Sequence, residues 1–315
     1  RLNTRVGVDV TLDGLKSEYD AVFVSVGAQS SSTMGVPGED LEGVLPAVEF
    51  LRDAALGRPV KIGQKVAVVG GGNAAIDAAR TALRLGAKEV HIVYRRLRSD
   101  MPADSAEIEA AIDEGIQVHY LTAPTRLIGV DGKVSQMECV RMRLGDFDKS
   151  GRRRPVPVDA SRTIVDVDTV IPAIGQYVDT SFSEGTDKNA EALLTTKSGL
   201  VITDPDTMQT NVPGVFAGGD CVTGPWTVVG AIGAGRQAAL AIDKFMGGVA
   251  WQHADAEIER ELVGTPIEEQ CKRCVMPEMP VSERSRNFKE VELGLTEDMA
   301  VAEAARCFQC DVCEP

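Results

Sequence analysis

A chain of 315 residues, 43% of them hydrophobic, can bury a sizeable core and is long enough for two domains. Its formal net charge of −14 excludes the basic surface that non-specific nucleic-acid binding or attachment to anionic lipid requires. No apolar run approaches the ~20 residues of a membrane span. No cleavable signal pattern is read, although the chain opens on Arg1 rather than Met, so the true N-terminus is not in view.

Residues 20–28, DAVFVSVGA, place an acidic residue before a short apolar strand that ends at Gly27. Residues 35–40 are turn-rich, 44–56 predict a short helix, and 57–64 form a crossing into the next unit. Residues 66–80, VAVVGGGNAAIDAAR, then predict a strand, a tight turn and a helix. Gly70, Gly72 and Ala75 fit the GxGxxA dinucleotide fingerprint. The first glycine makes the turn, the second admits a pyrophosphate to the backbone, and Ala75 lets the helix approach the sheet. The helix beginning near Asn73 offers free N–H groups and a positive dipole end to the phosphates.

A second strand follows at residues 89–94. About 20 residues beyond the fingerprint, NAD readers carry an acidic residue for the ribose 2′-hydroxyl. This chain has Tyr94, Arg95 and Arg96 there, with Arg98 just beyond. Guanidinium forks suit a 2′-phosphate, which favours NADP(H) over NAD(H). The alternative is a solvated basic edge.

Residues 104–114 predict a helix. Residues 134–144 and 163–167 predict paired strands, with the basic turn 149–154 between them read as a solvated loop rather than a binding site. Residues 168–176, DTVIPAIGQ, repeat the pattern of 20–28 and end with Gly175 near the same place. Such an echo predicts two related nucleotide-binding domains. The distance from Gly70 to Asp168, counted back from Asp20, falls upstream of Arg1. A first phosphate loop is therefore expected there, and the chain reads as a fragment.

Residues 210–246 hold a strand ending in Gly218, Gly219 and Asp220, then a long Ala- and Gly-rich helix from about Thr227. A carboxylate at a strand's C-terminal end can accept hydrogen bonds from ligand hydroxyls, or it can simply cap a tight turn. His91, His119 and His253 are spread too widely to predict a metal or nucleophile site, and His91 and His119 read as packing residues. Trp226 and Trp251 either flank the cofactor helix or pack in a core.

Cys139 and Cys221 stand alone and read as buried small hydrophobes. Cys271, Cys274, Cys307, Cys310 and Cys313 crowd the last 45 residues. In an acidic chain this clustering predicts thiolate ligation in a reducing, cytoplasmic compartment rather than disulfides. CxxCxxC is three quarters of a ferredoxin-type run, so its candidates are a 4Fe-4S cluster, zinc or no ligand, with Cys271 or Cys274 a possible source of the fourth thiolate.

The chain resembles the small (beta) subunit of glutamate synthase and its relatives, NADPH-dependent FAD oxidoreductases with two dinucleotide-binding domains. The resemblance rests on VAVVGGGNAAIDAAR, VYRR followed by Met101-Pro102, VIPAIGQ, VFAGGD, TVVGAIGAGRQAA and the tail ERSRNFKEVELGLTEDMAVAEAARCFQC. It implies an α/β fold of two Rossmann-like domains, with the FAD domain incomplete at its N-terminus and the NADP domain inserted in it. The corresponding segments are 1–60 and 178–248 for FAD, 61–177 for NAD(P)H, and 249–315 for a cysteine-containing extension.

It further implies that Asp220 binds the FAD ribityl and pyrophosphate region, that Thr227 and Val228 sit by the flavin pyrimidine ring, and that Gly27 and Gly175 lie near FAD and NADP. Two departures accompany it: the family's N-terminal FAD fingerprint is absent, and the tail reads CxxCxxC instead of an RCLxCD-like sequence. Cys139 is the sole cysteine expected inside the NADP domain, which disfavours the redox-active CxxC that thioredoxin-reductase-like enzymes carry there. The expected activity passes electrons from NADPH through FAD to an iron-sulfur relay, with a larger catalytic or electron-accepting subunit or a ferredoxin as partner. The alternatives are a non-catalytic nucleotide-binding scaffold with a zinc-bound tail, and a ferredoxin-linked or bifurcating NAD(P)H enzyme subunit.

Overall fold

The computed structural model describes residues 1–148, 151–183, 192–248 and 272–306. In chain order, α1 (Leu12–Glu18) leads into β1 (Val22–Val24) and β2 (Ser30–Ser31). After α2 (Ala47–Ala55) come β3 (Lys65–Val69), α3 (Asn73–Arg84), β4 (Glu89–Val93), α4 (Ser105–Asp113) and β5 (Gln117–His119). Three longer strands follow, β6 (Thr122–Val130), β7 (Lys133–Phe147) and β8 (Arg153–Asp166), then β9 (Thr169–Pro172) and β10 (Gln176–Tyr177). The chain continues through β11 (Val215–Ala217), α5 (Asp220–Thr223), α6 (Val228–Phe245), α7 (Val281–Arg284) and α8 (Glu297–Ala304).

Four strands form a parallel sheet in the order β5-β4-β3-β9. Both faces are covered, so its strands are apolar at almost every position, as buried parallel strands are. One face, with Val66, Val68, Val90, Ile92 and Ile171, packs on α3 and on Phe50 of α2. The inward residues of α3 are Ala75, Ile76, Ala78, Ala79 and Ala82, and these small side chains let the helix lie close to the strands. The other face, with Ala67, Val69, Val93 and Val170, meets Leu127, Val134, Met137 and Cys139 of an antiparallel meander, β6-β7-β8. The sheet is therefore held between helices and a second sheet.

The two echoed segments both become parallel strands. β1 pairs with β11, and β9 pairs with β3. A β2–β10 pair ties the segments that follow them. The echoed acids differ in use: the Asp168 carboxylate accepts from the Gln64 and Lys65 N–H groups at 2.8 and 3.0 Å and so sets the start of β3. Phe216 of β11 packs edge-on against Phe245 of α6, with Ala238 beside it.

Three sequence expectations need adjustment. The helix expected over 44–56 starts later, because Val44 bridges to Val170 and Pro46 occupies the N-cap. The strand expected over 163–167 is the end of a much longer one, and β6, whose burial shows no clean alternation, was not expected at all. Trp226 is 69% exposed, so it does not pack in a core. Trp251 and His253 lie outside the described residues.

Candidate functional site

The cleft of interest, about 690 Å³, opens at the C-terminal ends of β3, β4 and β9. Gly70 to Asn73 form its floor. A Cβ on Gly70 would lie 2.2 Å from the Ala173 carbonyl oxygen, and its φ of +150° is one that side chains rarely adopt. Gly72 differs: a Cβ there would find only Pro102, at 3.8 Å, and would project into open cleft. That is the space a pyrophosphate needs beside the backbone.

Gly72 caps α3 without a side-chain hydrogen bond, and Asn73 and Ala74 at the helix start line the cleft. Ala75 is fully buried against the sheet, the close-packing position of the fingerprint. The Asn73 side chain has a supporting role. Its Oδ1 accepts from the Asp104 N–H at 3.0 Å, which brings the turn containing Met101 and Pro102 over the glycine loop.

Tyr94, Arg95 and Arg96 lie at the end of β4, on the cleft. Their environments differ. Arg95 is exposed, whereas Arg96 is 5% exposed, donating from Nε to the Arg153 carbonyl at 2.9 Å and from Nη2 to Asp148 at 3.0 Å. Tyr94 is buried beside Gly71 and donates its hydroxyl to the Asp100 carbonyl at 2.6 Å. Burial raises the Tyr94 phenol above its ordinary range despite the charges of Arg96 and Arg152. Arg98 is occupied by Glu109. The turn expected to be a solvated loop contributes Arg152, which is exposed and also lines the cleft. Its basic composition was the one signal, but composition does not say where a hairpin tip folds.

Gly175 lines the same cleft, and Pro225 and Trp226 close its far side at the start of α6. Thr227 caps α6 by accepting from the Gly230 N–H at 3.1 Å, and Val228 opens the helix, exposed. Gly219 caps α5, whose first residue is Asp220. Gly27 follows β1, which pairs with the strand leading to Gly219. Of the residues expected at the flavin none lines this cleft, whose α6 side is formed by Pro225 and Trp226, the residues just before Thr227.

The histidines are closer than their sequence separation suggested. Parallel pairing of β4 with β5 puts His91 Nδ1 3.0 Å from His119 Nε2. Burial lowers both pKa values, so the pair is neutral near pH 7, consistent with packing. Cys139 and Cys221 are buried, and burial pushes the Cys139 thiol up to about 11. Neither suits nucleophilic or redox chemistry at neutral pH.

Cys274 is fastened to the last helix. Its N–H donates to Glu303 at 2.8 Å, and its Sγ lies 3.5 Å from the Met299 carbonyl. Cys271, Cys307, Cys310 and Cys313 lie outside the described residues. Among the described residues no group of three His, Cys, Asp or Glu side chains could hold a metal ion. No helix among them is long and apolar enough to cross a membrane.

Residues 3–235 match the model of the family described as pyridine nucleotide-disulphide oxidoreductase. The chain belongs to this family. Within it, the chain is 46% identical over 326 residues to the NADP(+)-dependent formate dehydrogenase subunit beta of Moorella thermoacetica, covering 98% of this chain and 45% of the relative. It is 37% identical over 257 residues to the glutamate synthase (NADPH) small chain of Escherichia coli K12, covering 76% and 53%. The chain thus spans about half the length of the curated relatives it matches. Among solved structures, Mycobacterium tuberculosis FprA in complex with NADPH superimposes with a TM-score of 0.63 at 21% identity, covering 78% of this chain and 68% of that one. The pyridine nucleotide-disulphide oxidoreductase fold is the α/β architecture of parallel nucleotide-binding sheets expected from the sequence.

Proposed function

We propose that this chain is the NADPH-oxidising, flavin-bearing module of a longer electron-transfer subunit. The observation that carries the reading is the single cleft running from the glycine loop and the arginines of β4 to Trp226 at the start of α6. When bound, NADPH supplies a hydride and FAD accepts it, then releases electrons singly.

The protein's part is binding, orientation and electrostatics. Gly70, Gly72, Asn73 and Ala75 hold the pyrophosphate of NADPH against the start of α3, and Gly175 lies beside the same ligand. The arginine end of the cleft, with Arg95 and Arg96, holds the 2′-phosphate. On the flavin side, Gly27, Gly219 and Asp220 take the ribityl and pyrophosphate region. The Asp220 carboxylate suits ligand hydroxyls, and the N-terminus of α6 at Thr227 and Val228 favours negative charge on the adjacent ring. No side chain is required as an acid or base, because hydride transfer needs alignment and exclusion of water rather than proton transfer from the protein.

The domain division at residues 60, 177 and 248 belongs to the same reading. So does the cysteine run: Cys307, Cys310 and Cys313, with Cys271 or Cys274, form the relay that hands electrons to a partner subunit or a ferredoxin. The position of Cys274 against α8, the helix that leads into Cys307, supports Cys274 as the fourth thiolate. A reducing, cytoplasmic location suits such thiolates. Mixing full-length protein with NADPH anaerobically tests the proposal. Flavin absorbance near ~450 nm should bleach while a broad ~400 nm shoulder reports the cluster. A colourless, zinc-containing protein would instead establish the scaffold.

A further inference from the structure

The order of the strands gives the cleft a direction. In the sheet β5-β4-β3-β9 the glycine loop follows β3, with the end of β4 on one side of it and the end of β9 on the other. The cleft crosses all three ends, from Tyr94 and Arg95 after β4, over the glycine loop, to Ile174 and Gly175 after β9. A dinucleotide with its pyrophosphate on the loop after β3 and its adenosine ribose at the end of β4 sends its other half over the end of β9. The α6 wall of this cleft is Pro225 and Trp226.

Trp226 is 69% exposed, yet its side chain is seated. The six-membered ring of the indole lies so near Gly230 that a Cβ there would come within 2.4 Å of it. Gly230 is itself fixed in the first turn of α6, where its N–H donates to the Thr227 hydroxyl at 3.1 Å. Glycine at 230 thus lets the indole rest on the helix backbone, and the remainder of the ring is left to the cleft. Among the described residues no other aromatic ring contacts it. An indole face attracts aromatic rings by offset stacking and cations through its quadrupole, and it does so best of the aromatic side chains. The oxidised nicotinamide ring is both aromatic and cationic.

We infer that Trp226 is a positioning residue for the nicotinamide ring: the indole, seated on Gly230, is the surface against which that ring packs at the α6 end of the cleft. The inference rests on the NADPH reading of this cleft and extends it to the half of the nucleotide that the glycine fingerprint does not reach.

Calorimetric titration of the full-length protein with NADP+ and with adenosine 2′,5′-bisphosphate, which lacks the nicotinamide half, tests it without turnover. Wild-type protein should bind both. Trp226→Leu should weaken NADP+ binding about tenfold, the loss expected for a cation held over an indole face, and leave bisphosphate binding within about twofold. Trp226→Phe should restore most of the NADP+ affinity, because it keeps an aromatic face. The part of the tryptophan emission that Trp226→Phe removes should be quenched by NADP+ and not by the bisphosphate.

Unchanged NADP+ affinity in Trp226→Leu, or equal losses for the two ligands, overturns the role of Trp226 and leaves the NADPH reading standing. Tighter NADP+ binding in Trp226→Leu also overturns it, by marking the indole as an obstacle to the ring. Wild-type protein that binds neither ligand overturns the NADPH reading itself, and this inference with it.

Discussion

A methyl group on Gly70 would lie 2.2 Å from the Ala173 carbonyl oxygen, whereas one on Gly72 would touch Pro102 at 3.8 Å and nothing closer. The two glycines of the fingerprint are therefore required for different reasons. Gly70→Ala forces apart the ends of β3 and β9, neighbouring strands of the parallel sheet, and should destabilise the protein by about 2–3 kcal/mol. Gly72→Ala should cost no more than about 1 kcal/mol, since its backbone is extended and only the cap is less favourable. It should nevertheless abolish tight dinucleotide binding by occupying the approach of the pyrophosphate. Thermal unfolding and calorimetric nucleotide titration of both variants separate the two effects. Equal affinity in wild type and Gly72→Ala would sink the phosphate assignment.

At the scale of elements, α3 and α4 are joined by one carboxylate. Glu114, at the end of α4, is fully buried, and its oxygens accept from Arg80 and Arg84 of α3 at 2.8 Å each. Arg284, at the end of α7, approaches the same carboxylate to 3.3 Å. Burial pushes its pKa up, but the hydrogen bonds from Arg84 and Arg80 outweigh this and hold it below the ordinary glutamate range. The sign of the pH dependence follows. A carboxyl whose pKa is depressed by folding stabilises the protein above its unfolded pKa, ~4.3, and that contribution is lost as pH falls through the lower folded value. Glu114→Gln leaves three guanidinium groups around a neutral amide and should cost about 3–5 kcal/mol near pH 7. The deficit should shrink below about pH 4 in urea melts across a pH series; a pH-independent difference would refute the charge argument.

At the scale of the whole molecule, residues 284–291 of the C-terminal segment lie against the helices that cover the parallel sheet. Arg284 is 4% exposed between Glu114 and Glu278, and Phe288 and Val291 lie near Leu51, Ala54 and Thr81 of α2 and α3. Within the same segment Cys274 is fastened to α8 through Glu303 and Met299. Arg284→Ala should release the segment: amide exchange over residues 277–293 should accelerate, with nucleotide affinity unchanged within about twofold. Unaltered exchange would show that the apolar contacts suffice alone.

Local patterns were legible without a structure wherever the signal was local. The strand, glycine turn and helix of residues 65–84 were readable because glycine geometry and apolar periodicity act over a few residues, and the echo of 20–28 in 168–176 exposed two related strands. Membership of the family was readable for the same reason, since its motifs are contiguous. Contacts between distant segments were not readable. The placement of Arg152 depends on how two strands of 15 and 14 residues pair, with two register shifts between them. The meeting of His91 with His119 depends on parallel strand register, and the committed state of Arg96 on a partner more than 50 positions away. The sequence by itself determined which ligand chemistry this chain is built around. Only the tertiary structure decided that Arg95 is exposed while its neighbour Arg96 is buried on Asp148 and the Arg153 carbonyl, because charge type is written in the residue whereas its environment depends on what folding brings beside it.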